Sequence, residues 1–340
     1  MLFSAVSAWA AGKIDLAALH TAIASDDIKL LQTTTIPASV LNKQDKFGYA
    51  PLLIACATNK PEIAALLIDK GAEVNKASLD GKTALMFAAD HGHLPLVKKL
   101  LSKGARLDVQ DKMGYTALFY AAERGHMAIL KYLLSKGADP RLKAQHGRTL
   151  LMVLAGNAAA SREIVALVHR KGVDINAYDS ESRLTALSIN TMFRGKLEVF
   201  DYLLANKADV NWKDGFGRTP LLYTLINKDH SKATALLNNG AKAGEVRYEG
   251  LTPLMLVAIQ GNKKLAELLV SKGAKPGLRD KKGRTALDLA KAKKHKALVS
   301  YLGRFTDRKT AGQVKGPVQK RRQKTGRKPT QVQKSARQGK

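Results

Sequence analysis

The sequence predicts an all-α fold: a solenoid of short paired helices joined by hairpin loops, followed by a disordered basic tail. Three observations carry this. A Thr-Ala/Pro-Leu triplet recurs with a period near 33 residues. Inside each period, apolar residues fall at helical spacing in two short runs, each ended by a glycine. The formal charge, +29 over 340 residues, gathers at the carboxyl end, where large apolar residues thin out. A fixed period of this length is the mark of a repeat architecture, and it decides the fold before any single residue does.

Residues 1–11 come first, as an apolar leader or capping helix. Leu2 to Ala10 is uncharged, apolar or small, and closes on Ala8-Trp9-Ala10 before Ala11-Gly12. This is the back half of a secretory signal peptide without its basic front. Read so, it favours export over a cytoplasmic location; the alternative is an apolar helix that caps the array.

The array occupies 12–303. Its nine copies anchor on Leu19, Leu52, Leu85, Leu118, Leu151, Leu187, Leu221, Leu254 and Leu287, in steps of 33 residues apart from 36 and 34 after Leu151 and Leu187. In the copy 83–116, Leu85, Phe87, Ala88 and Ala89 give a short helix, and Gly92-His93 breaks it. Leu96, Val97, Leu100 and Leu101 give a second helix, Gly104 ends that one, and Gly114 permits a hairpin tip. Helices of two turns are well short of the ~12–15 residues that an isolated helix needs. Each unit must therefore stack on its neighbours, gaining roughly 1.5–3 kcal/mol per large apolar side chain buried.

Gly81, Thr83, Leu85, Ala88-Ala89, Gly92-His93, Leu100-Leu101 and Gly104-Ala105, with Asn75, Asn176 and Asn211 at the asparagine position of other copies, resemble the ankyrin repeat family. The resemblance implies a curved array whose hairpin tips and first helices form a concave surface for another macromolecule. The sequence departs from the family in places. The histidine of the family's Thr-Pro-Leu-His tetrad survives as His20, while Leu53, Met86, Phe119, Met152, Ser188, Leu222, Met255 and Asp288 hold its place elsewhere. Apolar contact is expected there in place of most of the family's hydrogen bonding. Leu151 to Gly172 spans 21 residues where regular copies have 19, and the next hairpin and helix pair gain one residue each. Lys207 replaces a terminating glycine, which predicts ~1–2 kcal/mol of left-handed strain or a different turn. Lys291, Lys293, Lys294 and Lys296 make 288–300 read as a polar cap.

No pattern supports catalysis, a cofactor, a metal site or a small-molecule substrate. Gly81-Lys82-Thr83 ends like a phosphate-binding loop, but Lys76 stands where that motif needs glycine. Gly215-Phe216-Gly217 meets Pro220 where a dinucleotide fingerprint needs its third glycine. His93 and His126 share one repeat position, which argues for structure rather than metal binding by Asp90, His91 and His93. Cys56, the single cysteine, falls where helices touch and reads as a buried, inert thiol.

Function is expected at positions free of structural duty. The hairpin tips carry Phe47, Tyr49, Leu79, Met113, Tyr115, His146, Tyr178, Trp212, Phe216 and Tyr248, with Arg218 beside Phe216. Large apolar and aromatic side chains dominate protein interfaces. Met113, Tyr115, His146, Tyr178, Trp212, Phe216, Arg218 and Tyr248 are thus expected to meet a protein partner. For Tyr49 and Tyr115, just after the loop glycine, folding back onto the neighbouring loop is an equal reading.

The carboxyl end differs in kind. Residues 304–340 carry 13 basic side chains and one acidic, and 263–303 carry 12 and three. The tail holds too little apolar surface to fold. Its densest run, Lys320, Arg321, Arg322 and Lys324 with Arg327 and Lys328, is suited to nucleic-acid phosphate or an anionic membrane surface. Residues 306–340 contain no aromatic, so base stacking is not on offer. Two classes of function follow. One is a non-enzymatic scaffold binding a protein through its concave face and hairpin tips. The other is a nucleic-acid or anionic-surface protein whose tail dominates. An elongated, capped and highly charged array is expected to be a monomer.

Overall fold

The computed structural model describes residues 15–244 and 248–305. The leader 1–11 and the tail run of Lys320, Arg321, Arg322, Lys324, Arg327 and Lys328 lie outside the described residues. Among those described, nine helix pairs follow one another. They are Leu16–Ala24 with Ile28–Thr33, Pro51–Ala57 with Pro61–Asp69, and Ala84–Asp90 with Leu94–Ser102. Ala117–Arg124 with Met127–Ser135, Leu150–Gly156 with Arg162–Arg170, and Ala186–Met192 with Leu197–Ala205 form the middle. Pro220–Ile226 with His230–Asn238, Pro253–Gln260 with Lys263–Ser271, and Ala286–Ala292 with Lys296–Gly303 complete the array. The nine anchor leucines are all buried in one continuous core that runs the length of the stack.

The triplet begins each first helix for a local reason. Thr83, Thr149, Thr185, Thr219, Thr252 and Thr285 each accept a hydrogen bond from the backbone N–H three residues on, as an N-cap must. Proline follows at the first helical position in Pro220 and Pro253, where its missing N–H costs nothing. The position expected to give apolar contact gives more than that. The sulfurs of Met86, Met152 and Met255 each accept the N–H of their capping threonine at 3.4 Å. Asp288 accepts the N–H of Thr285 at 2.9 Å, and Ser188 shares a hydroxyl bond with Thr185. Phe119 has no such atom to offer, and the Thr116 hydroxyl beside it is buried without a partner.

Repeats are clipped together by polar side chains that reach one period forward or back. Asn75 accepts from the Arg106 N–H and donates to the Gly104 carbonyl; Asn176 and Asn211 do the same three and four hairpins later. His93, His126 and His295 precede the second helices. His93 bonds Asn59, while His126 and His295 meet the Asp90 and Ile259 carbonyls at 3.0 Å. The ring of His126 lies where a Cβ on Gly92 would sit, and His295 does the same at Gly261. Here glycine is needed both for its positive φ and for that close approach.

The irregular stretch leaves helix length untouched. Leu150–Gly156 and Arg162–Arg170 keep seven and nine residues, and the two extra residues enter the turn 157–161. Lys207 adopts the left-handed conformation at φ 65°, so the glycine turn is retained on a lysine. The first repeat departs further: a short helix Ala38–Leu41, entered from Pro37, stands between its second helix and its hairpin. Among the described residues no helix is long and apolar enough to cross a membrane.

Cys56 lies in the helix Pro51–Ala57 with its thiol buried, and burial pushes that thiol up to about 12. The thiolate is the reacting form. The native protein is therefore expected to be silent to a disulfide-exchange reagent at pH 8, and to release one equivalent of chromophore once denatured. Stoichiometric labelling of the folded protein would contradict the buried placement.

Candidate functional site

Five of the hairpins are built around an aspartate that the sequence reading did not single out; Ser78 and Ala144 hold that position in two others. The Asp111 carboxylate accepts the N–H groups of Met113 and Tyr115 at 2.9 Å and the Tyr120 hydroxyl at 2.5 Å. Asp214 accepts from the N–H groups of Phe216 and Arg218 at 2.8 Å, from the Arg218 guanidinium and from the Tyr223 hydroxyl. Asp45, Asp179 and Asp280 hold their loops in the same way. Burial works against ionisation at Asp179, but the Ser182 and Leu184 donors outweigh it and hold the carboxyl below its ordinary range. The signal was present as an aspartate two or three residues before the tip, a common turn residue whose side chain satisfies the loop's own amides.

The tips are also joined to one another. Backbone hydrogen bonds run from Leu79 to the Phe47 carbonyl, Lys112 to Asp80, Gln145 to Met113, Ser180 to His146 and Gly215 to Ser182, all at 2.6–2.9 Å. The tips thus form one ladder rather than independent loops.

Hairpins and first helices are the two walls of a groove of about 800 Å3 that spans three repeats. Met113, Tyr115, Gln145, His146, Arg148 and Glu181 come from the hairpin wall. Glu123, Arg124, Met152, Val153, Asn157, Ile189 and Phe193 come from the helix wall. Three of the residues singled out in the sequence, Met113, Tyr115 and His146, meet here. Met113 is 54% exposed and Phe193 61% exposed on opposite walls. Tyr115 is half-buried: it stacks on Phe119 with ring centroids 5.2 Å apart, donates to Glu123 at 3.1 Å and accepts from Arg148. Burial raises the Tyr115 hydroxyl above its ordinary value, against the pull of the Arg148 guanidinium and with help from Glu123. Arg148 and Glu123 also pair directly at 3.1 Å, so the charged floor is internally neutral. His146 stands at φ 58° with its ring 3.9 Å from the Glu181 carboxylate.

The remaining tip residues lie outside this groove. Tyr178 and Trp212 pack together with centroids 4.8 Å apart, and the Arg183 guanidinium lies over both rings. The Trp212 N–H donates to the Arg183 carbonyl at 2.6 Å, so this ring has a partner within the chain. Phe216 is 78% exposed, with the Arg218 guanidinium 4.5 Å above it. Tyr248 is half-buried against the core and exchanges backbone hydrogen bonds with Leu251. Tyr49 is likewise half-buried, against Phe87.

Sequence reasoning passed over Phe193, because it lies in the turn after a first helix and not at a hairpin tip. Among the described residues no group of three or more His, Cys, Asp or Glu is placed to hold a metal ion.

A family model described as ankyrin repeats (3 copies) matches residues 19–111, 97–179, 187–280 and 226–310. Over 66 residues the chain is 36% identical to protein phosphatase 1 regulatory subunit 27 of Mus musculus and 35% identical to that of Homo sapiens. The match covers 19% of this chain and 43% of each relative, so the chain spans less than half the length of these curated relatives.

Proposed function

The chain belongs to the ankyrin repeat family, and from that premise we propose that it is a non-enzymatic scaffold that binds a protein partner between its hairpin tips and first helices. The groove across the repeats of Met113, His146 and Phe193 carries this reading. It exposes large apolar side chains on facing walls, while Arg148 and Glu123 on its floor pair with each other. Such surface is stabilised when a partner removes it from water, at roughly 25 cal/mol per Å2 of apolar area. The two relatives are regulatory subunits by name, which supports a role exercised through another protein rather than through chemistry of its own. The array acts as a monomer in this reading, since its last first helix ends the stack on Asp288, Lys291 and Ala292, all exposed. In the preceding repeat, Met255 and Ala258 at the first two of these positions are buried.

Affinity capture from lysate at high salt tests it, comparing the parent with a chain carrying Met113→Glu and Phe193→Glu. Both positions are exposed, so melting is expected to shift by no more than a few degrees while the captured partner is lost. Undiminished capture by the double variant would place the contact elsewhere.

A further inference from the structure

We propose that the last repeat is a binding surface for the phosphate backbone of duplex nucleic acid. This goes beyond the protein-binding reading and rests on different residues. In the groove, four of the positions that a repeat turns inward are polar. Counted from the capping Thr149 they hold Gln145, His146, Arg148 and Asn157. Counted in the same way from Thr285 they hold Lys281, Lys282, Arg284 and Lys293, and Lys294 follows in the same turn. At this repeat both walls have become basic. Lys281, Lys282, Lys293 and Lys294 are all exposed.

The three acidic residues of 263–303 each have a partner within the chain, and Asp280 offsets the charge of Arg284 in the hairpin itself. Asp280 is held by the Lys282 and Arg284 N–H groups and the Arg284 guanidinium. Asp288 closes the Thr285 cap, and Glu267 pairs with Lys263 at 3.5 Å. A terminal repeat needs a polar outer face, but nothing about capping needs one sign of charge. Clustered like charges repel one another, so the one-sided surface calls for a polyanion.

Magnitude and shape decide which polyanion. Residues 263–340 carry 25 basic and four acidic side chains. An acidic protein patch offers a handful of charges against that excess. A duplex carries one charge per ~1.7 Å of axis, so about 35 Å of it supplies roughly 20. A bilayer is flat, whereas these lysines hold the hairpin and helix positions that four repeats earlier form the two walls of the groove, an arrangement that receives a rod. The aromatic residue of 263–304, Tyr301, is half-buried, so contact is to phosphate rather than to stacked bases.

The test is fluorescence anisotropy of a labelled duplex of about 20 base pairs with the full chain, from roughly 50 to 200 mM salt. The variant Lys281→Gln, Lys282→Gln, Lys293→Gln, Lys294→Gln is expected to bind at least about tenfold more weakly at the low-salt end. Its log Kd against log salt should flatten by about 3–4, near 0.9 per lost phosphate contact. A second variant, Lys43→Gln, Lys103→Gln, Lys131→Gln, Lys171→Gln, removes the same charge from exposed sites elsewhere and should stay within about twofold of the parent. Melting curves matching the parent's establish that both variants are folded. Parent-like binding by the last-repeat variant overturns the proposal, as does an equal loss in the control variant. Preference of the parent for phosphatidylserine vesicles over the duplex overturns it too, in favour of a membrane.

Discussion

Gly195→Ala is expected to destabilise the array by at least about 3 kcal/mol, read as a fall in the urea midpoint at unchanged slope. A Cβ at this buried position would lie 2.3 Å from the Ala155 carbonyl oxygen and 2.4 Å from the Asn190 amide nitrogen. Neither neighbour is the loose end of a flexible side chain. The Asn190 amide is tied to the Ala155 and Lys196 carbonyls at 3.1 and 3.3 Å, and its oxygen accepts from the Lys232 ammonium at 2.9 Å. The Lys232 ammonium also donates to the Gly195 carbonyl and lies over the Phe200 ring. Three successive repeats therefore share one buried polar knot, and a methyl group at its centre forces several of these bonds apart together. Lys232 is 4% exposed, and burial lowers its pKa, with Asp229 opposing the shift. Lys232→Met should cost less, about 1–2 kcal/mol, because a hydrophobe of similar length removes a buried charge as well as its bonds. A Gly195→Ala chain that unfolds at the parent's midpoint would mean that the turn yields at no cost, and the knot would lose its significance.

That knot also marks where the sequence stopped being legible. The period of 33 and the threonine, leucine and glycine of each copy gave the helix pairs, because each residue acts within its own repeat or against an equivalent one. The shared position of His93 and His126 reads as structural, and both rings do bond the preceding repeat. Asn190 and Lys232, by contrast, look like surface residues. They are 42 positions apart, and both are buried. The turn 193–196 has one residue more than its regular counterparts, and it leaves the Gly195 carbonyl facing the next repeat, where a buried acceptor must find a donor. A count of residues reveals the insertion but not the direction of that carbonyl. The tips divide in the same way. Exposure of Met113 and Phe216 follows from their place beside a tip glycine. Contact between Tyr178 and Trp212 depends on how two hairpins lie side by side, which periodicity does not specify.

Asp214→Ala should destabilise the protein by about 3 kcal/mol and release the tip that carries Phe216 and Arg218. The carboxylate is buried and receives two loop N–H groups, the Arg218 guanidinium and the Tyr223 hydroxyl. Alanine leaves all four donors without an acceptor, and one of them is charged. The same carboxylate gives the loss a pH dependence of definite sign. Burial opposes ionisation, but the Tyr223 hydroxyl and the Arg218 and Phe216 donors outweigh it, so Asp214 is held below its ordinary carboxylate value. A group depressed in the folded state contributes its stability above the unfolded pKa of ~3.9, and that contribution is lost as pH falls through the folded value. Asp214→Asn, uncharged throughout, resembles the protonated parent. The difference in melting temperature between parent and Asp214→Asn should therefore be full at about pH 6 and narrow steadily toward about pH 2. A gap that holds constant over that range would show that the carboxylate's charge contributes nothing, and that the hairpin is held by shape and neutral hydrogen bonds alone.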